Sequence, residues 1–335
     1  MSLGERLREA TKNDDDYVEE WSALWDVVKS PWWTRAWIFQ EFVVAPSAIF
    51  LHSHQHVTWE RLHSAMSVLI HSQRADDDHI PTVHRRINPV PSLEMVATLT
   101  QQKAHWTGVQ DLKTLLSRSR KTSASNLRDK IYAVIGLADS GYNIVPNYEQ
   151  PLNDVLIETT RRIIEFENSL SVLVYGSQLS QNIHLPSWVI DWTQTGNRDE
   201  CLFPQSDLIS PGTAETPFKF QVATGDRPAL MVWGAYYGSV CAVKKHPHFS
   251  VTKGWLVDEV RVRSQGNDSE PFLCKTGVED DDELWDLQGS VAAVFLRRSG
   301  HGYRLISPAS PNNKYKQDWP IAQSDTCELQ RISII

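Results

Sequence analysis

Apolar residues change rhythm once along this chain, from three- and four-residue spacing before Trp192 to alternation after Lys219. Side chains three or four apart share a helical face and alternate side chains share a strand face, so the first part reads as mainly helical and the second as mainly β. In residues 16–30, Tyr17, Trp21, Leu24, Trp25 and Val28 form one helical stripe. Ser30-Pro31 reads as a cap followed by proline at the first helical position, opening a second helix that runs to about Val44 before Pro46. On that helix Trp33, Trp37 and Glu41 fall four apart and share a face, with Ile38 and Phe42 widening its apolar side. Residues 48–51 and 56–58 predict a short hairpin, and 59–72 another helix. Residues 73–90 lack periodicity and predict a surface loop. Helices are expected over 91–103, 109–119, 127–138 (capped by Asn126) and 151–168. The apolar segment 170–175 suits either a buried strand or a short helix.

The Gly/Pro/Thr/Ser-rich stretch 193–217 predicts a linker, and the runs 219–222, 229–233, 240–243, 290–296 and 303–306 predict antiparallel strands. A length of 335 residues suits two cores, or one large core with an appendage. With 41% hydrophobic and 22% charged residues most of the chain can fold, and its thirteen Trp read first as core. The formal charge of −8, with acidic runs at 14–16, 76–78 and 279–283, opposes adhesion to nucleic-acid phosphates. The short basic cluster Arg118-Ser119-Arg120-Lys121 reads as a solvated loop. Cysteines 201, 241, 274 and 327 form no CxxC pair, and the N-terminus lacks the apolar core of a signal peptide. No run approaches the ~18 apolar residues of a spanning helix. These features predict a cytoplasmic chain with reduced thiols and no membrane or nucleic-acid partner.

Walker, GxSxG and HExxH patterns are absent, and Gly300-His301-Gly302 reads as a turn. His52, His54 and His56 occupy alternate positions. Within one strand all three would face one side and would suit zinc, whereas a tight turn near Ser53–Gln55 would scatter them, so no metal is assigned. Glu41, sharing a face with Trp33 and Trp37, would be partly desolvated; that raises a carboxylate pKa and suits a base or charge stabiliser. The alternative is a surface glutamate paired with Arg35 or Arg61.

Three ordered blocks carry a family resemblance. Ser30-Pro31-Trp32-Trp33-Thr34-Arg35-Ala36-Trp37-Ile38-Phe39-Gln40-Glu41 resembles the S-x-W-F-x-R-x-W-x-x-Q-E block that closes fungal heterokaryon-incompatibility (HET) domains, with Trp33 replacing Phe. Asp129-Lys130-Ile131-Tyr132-Ala133, continuing to Gly136-Leu137-Ala138, is similar to the family's D-K-I-Y-A-L-L-G-L block. Leu185-Pro186-Ser187-Trp188-Val189-Ile190-Asp191-Trp192 is similar to its L-P-S-W-V-P-D-W block. The strand block and the C-I-N-Q block that open HET domains have no counterpart, so the resemblance implies a chain that starts inside the final third of the domain. It further implies an α/β to α+β organisation. Residues 1–45 would be the C-terminal part of a TIR-like α/β HET module and 46–192 a mainly helical region; 193–217 would be a linker and 218–335 a β-rich region.

The function implied is allorecognition and regulated cell death, acting through protein partners or self-association. In TIR NAD glycohydrolases a W-C-x-x-E helix supplies the catalytic carboxylate, and Trp37 to Glu41 has the same spacing. By that analogy the rival reading is an enzyme with Glu41 as its carboxylate and NAD as substrate, no other cofactor being implied. A further rival is a structural remnant with no effector activity.

Overall fold

A computed structural model describes residues 27–52, 55–74, 91–176, 184–194, 219–223, 228–245, 257–264, 270–311 and 329–335. The helix expected over 16–30 lies outside them up to residue 26, as do residues 75–90 of the expected loop and 195–217 of the expected linker. The chain is mixed α/β and rich in sheet towards its C-terminal end. It divides into two compact units, Met1–Gln110 with Lys121–Ala138, and Asp111–Arg120 with Asp139–Ile335.

In the first unit β1 (Ile49–His52) and β2 (Gln55–Thr58) form the expected hairpin, with Leu51 opposite His56. The helices α1 (Trp59–Arg74) and α2 (Pro91–Ala104) follow closely where their apolar spacing predicts them. Two departures are informative. Residues 31–44 are not one helix: a 3-10 turn over Pro31–Thr34 stops at Arg35, whose extended backbone bridges in parallel to Ser123, and a π-turn over Phe39–Val43 follows. The expected helix over 127–138 is trimmed to α4 (Asp129–Ile135), because residues 125–128 are taken up by a turn in which the Asn126 carbonyl accepts from Asp129 N at 2.9 Å.

In the second unit α3 (Leu112–Ser119) starts at Asp111, whose carboxylate accepts from Thr114 N at 3.0 Å, two residues later than predicted. Helix α5 (Leu152–Glu167) buries Val155, Leu156, Ile163 and Ile164 on one stripe. The ambiguous segment after it is a 3-10 helix over Ser171–Tyr175. The β-rich part begins with β3 (Gln221–Ala223) and the long β4 (Ala229–Lys244), which absorbs two of the predicted runs. There follow β5 (Val257–Ser264), β6 (Glu270–Lys275), β7 (Glu283–Leu287), β8 (Val294–Ser299), β9 (Gly302–Pro311) and β10 (Gln330–Ile334).

Pairing closes on itself: β4–β5, β5–β6, β6–β9, β9–β8, β8–β7 and finally β7–β4, a ring without a free edge. Strand β10 pairs with the first half of β4 and touches β9 through a parallel bridge from Ile334 to Tyr303. One apolar cluster fills the ring, with Val240, Val260, Val262, Phe272, Leu284, Phe295 and Ile306 from six strands. Alternation is plain in β5, where Val260 and Val262 are buried while Arg261 and Arg263 are exposed. It vanishes in β7, where all five residues are buried.

Candidate functional site

The first motif block folds into a compact knot of the first unit. Ser30 Oγ accepts from Trp32 N at 3.4 Å and starts the 3-10 turn, and buried Trp33 donates its indole N–H to the Val27 carbonyl at 2.7 Å. Trp32, Trp33, Phe42 and Phe50 then form an aromatic cluster with ring centroids 4.9 to 6.1 Å apart. The break at Arg35 and the π-turn destroy the predicted common face of Trp33, Trp37 and Glu41. Trp33 points into the core at 1% exposure, Trp37 is half-buried, and the Glu41 side chain is 39% exposed. Glu41 therefore does not sit under a tryptophan face as expected. Its carboxylate accepts from Trp32 Nε1 at 3.0 Å and pairs with Arg35 at 3.3 Å, the surface pairing that was the alternative.

Lys103, on α2, holds this knot from below. Its ammonium donates to the Phe42 carbonyl at 2.9 Å and also to the Ala45 carbonyl, and it lies 5.1 Å from the Phe42 and Trp59 ring centroids. The π-turn leaves these carbonyls without helical donors, and the lysine supplies them. Burial lowers the Lys103 pKa, with Glu60 acting partly in the other direction.

The second block meets the first. Lys130, Ile131 and Tyr132 are buried on α4, while Asp129 is half-buried in its first turn. Gly136 has an ordinary helical φ of −68° and packs closely on the first block: a Cβ would stand 3.0 Å from Gln40 Nε2, the far end of a flexible side chain. Ser123, just ahead of α4, donates to the Thr34 carbonyl and accepts from Ala36 N. Motif residues 30–41 and 129–138 thus share one packing unit.

The third block belongs to the second unit and is structural in its contacts. Trp188 is fully buried and donates to the Pro228 carbonyl at 3.0 Å. The Asp191 carboxylate accepts from Thr193 N at 3.0 Å, Thr193 Oγ1 at 2.6 Å and Gln194 Nε2 at 3.1 Å, closing the turn that follows it. Trp192 is fully buried, with the Arg120 guanidinium 4.7 Å from its ring centroid. This corrects the reading of the basic cluster as a solvated loop. Arg120 is only 6% exposed, because stacking and the carbonyls of Tyr175 and Asp191, both at 3.4 Å, compensate its burial.

The histidines do not align along one strand. His52 is the last residue of β1 and His56 lies in β2, so the two do not belong to one strand. His54 lies outside the described residues. Among the described residues no group of three His, Cys, Asp or Glu is placed to hold a metal.

Two features escaped sequence reading. Glu167 gathers Lys113, Tyr142 (2.9 Å) and Ser171 (3.1 Å), and burial raises its pKa despite the hydrogen bonds from Lys113 and Tyr142. Asp286 on β7 is 1% exposed and neither carboxylate oxygen has a hydrogen-bond partner. The signal for it was an acid inside the apolar run Leu284-Trp285-Asp286-Leu287. No known protein family, curated protein or solved structure matches this chain. Among the described residues no helix is long and apolar enough to cross a membrane.

Proposed function

We propose that this chain is a HET-type signalling protein of fungal allorecognition and regulated cell death, acting in the cytoplasm through protein contacts, with its first 45 residues belonging to a TIR-like module. The observation that carries the reading is the meeting of two motif blocks about 90 residues apart, with Gln40 against Gly136 and Ser123 against Thr34–Ala36. That knot presents Arg35 and Glu41 as an exposed, oriented ion pair beside Trp32. An exposed Arg beside a half-buried Trp on a rigid support suits recognition of another protein surface. The test is expression of the chain in a filamentous fungus, scoring heterokaryon viability in fusions with a panel of genetically different strains. Death in particular pairings, weakened by Arg35→Glu and recovered in the Arg35→Glu/Glu41→Arg exchange, supports the proposal. Viable heterokaryons with every strain defeat it.

The enzymatic rival assigns Glu41 to NAD cleavage. Its carboxylate already serves Trp32 and Arg35 at the surface, an arrangement that favours a structural and recognition role over stabilising a ribosyl cation. Nicotinamide release from NAD by the purified protein, compared with Glu41→Gln, separates the two. Glu41-dependent turnover would establish the enzyme instead, and a protein that neither cleaves NAD nor affects viability would be the remnant.

A further inference from the structure

Buried acids in the barrel region are generally compensated. Asp282 receives Arg297 at 2.7 Å and Glu279 N at 2.8 Å, and Glu283 receives Arg298 at 2.6 Å and Trp285 Nε1 at 2.9 Å. Asp286 is different: among the described residues it is the carboxylate that is buried with both oxygens unpartnered. An ionised carboxylate so placed is strongly disfavoured, whereas a neutral carboxyl is tolerated.

Its position matters as much as its isolation. Asp286 stands opposite Ala235 in the β4–β7 pairing, the contact that closes the barrel. One pair further on, the register slips between Tyr236 and Gly238, so the ladder is already irregular beside it.

Among the described residues no cation reaches it from the packed elements. On β4 residues 234–239 carry two ionisable groups, both phenols and neither a cation: Tyr236, which opposes Trp285 and bonds Ser239, and Tyr237 in the bulge, which packs against Phe272 and the barrel core. On β8, Arg297 and Arg298 are bound to Asp282 and Glu283. On β10, Arg331 opposes Trp233 and donates to Gln221. On β7 itself Glu283 is held by Arg298 and Trp285. Burial alone pushes the Asp286 carboxyl up to about 7.

We propose that Asp286 is a proton switch in the seam that closes the barrel: as a neutral carboxyl it fits the closed β4–β7 pairing, and as a carboxylate it favours opening of that seam. The closed barrel keeps its proton to higher pH than the opened one, so opening becomes easier as pH rises from about 4 and stops changing above about 7.

Native-state hydrogen exchange at the amides of 234–239 and 283–287, in wild type and Asp286→Asn between pH 5 and 8, tests this. The ratio of the two opening constants should rise roughly tenfold per pH unit and level off near pH 7. A carbon-13 titration of the Asp286 carboxyl in the wild-type protein gives a second reading that needs no variant to fold. A midpoint near 7 supports the switch; a midpoint near the ordinary 3.8, or a ratio independent of pH, overturns it.

Discussion

Lys103 in the first unit and Asp286 in the second are both buried ionisable side chains, and only the lysine has partners. The difference lies in the backbone around them. The first unit's motif segment is irregular, with a 3-10 turn, a bridge and a π-turn between Pro31 and Val43, and it leaves carbonyls that a side chain must satisfy. In the barrel the ladders of a closed ring consume the backbone donors, so the Asp286 carboxyl finds none to spare.

The largest effect that would break this contrast concerns Asp286→Asn. Raising a carboxyl from 3.8 to about 7 spans about three pH units, or roughly 4 kcal/mol at about 1.4 per unit. Because the folded value is raised, the stabilisation is fully present below about pH 4 and is lost as pH rises to about 7. The stability difference between Asp286→Asn and wild type should therefore shift by up to about 4 kcal/mol in favour of the variant between pH 4 and pH 8. Urea unfolding across that range measures it, and parallel pH curves would show that Asp286 has a partner after all.

Gly238→Ala probes the other side of β4 sterically, where it pairs with β5. A Cβ there would lie 2.5 Å from the Arg263 carbonyl oxygen, a backbone atom that cannot rotate aside. A loss of about 3 kcal/mol is expected in urea unfolding, and a neutral result would mean that the bulge absorbs the strain.

Lys103→Met should cost about 2–3 kcal/mol by leaving the Phe42 and Ala45 carbonyls without their donor. The linkage of Lys103 runs opposite to that of Asp286. Its folded pKa is lowered, so the unfolded chain binds more protons, and stability from this group rises with pH towards 10.5. Thermal unfolding of both proteins between pH 7 and 10 checks the sign.

The smallest effect is expected at the exposed ion pair. Glu41→Gln should change stability by less than about 1 kcal/mol, and by less still in high salt. A larger loss would mean that Trp32 and Arg35 depend on Glu41 for the packing of the knot.

Sequence and structure agree in the clearest helical stripes and in the hairpin, whereas β5, which alternates plainly, and β6 lie outside the predicted runs. Trp59–Arg74, Pro91–Ala104 and Leu152–Glu167 carry apolar stripes, and the hairpin 49–58 carries short β-branched and aromatic runs. Residues 31–44 misled because Trp33, Trp37 and Glu41 keep helical spacing while the backbone bonds elsewhere: Arg35 leaves the helix to pair with Ser123, some 90 positions away. Arg120 misled for a similar reason, since the aromatic face it covers belongs to Trp192. Strand β7 escaped notice because both its faces are buried, which erases alternation.

The sequence by itself determined the change from helix to strand, the main amphipathic helices and the surface pairing open to Glu41, because these depend on neighbours within a few residues. Tertiary structure alone decided the contact of Gln40 with Gly136, the closing of the ring through β4 and β7, and the isolation of Asp286. Each of these depends on which distant backbone groups and side chains meet, and local spacing holds no record of that.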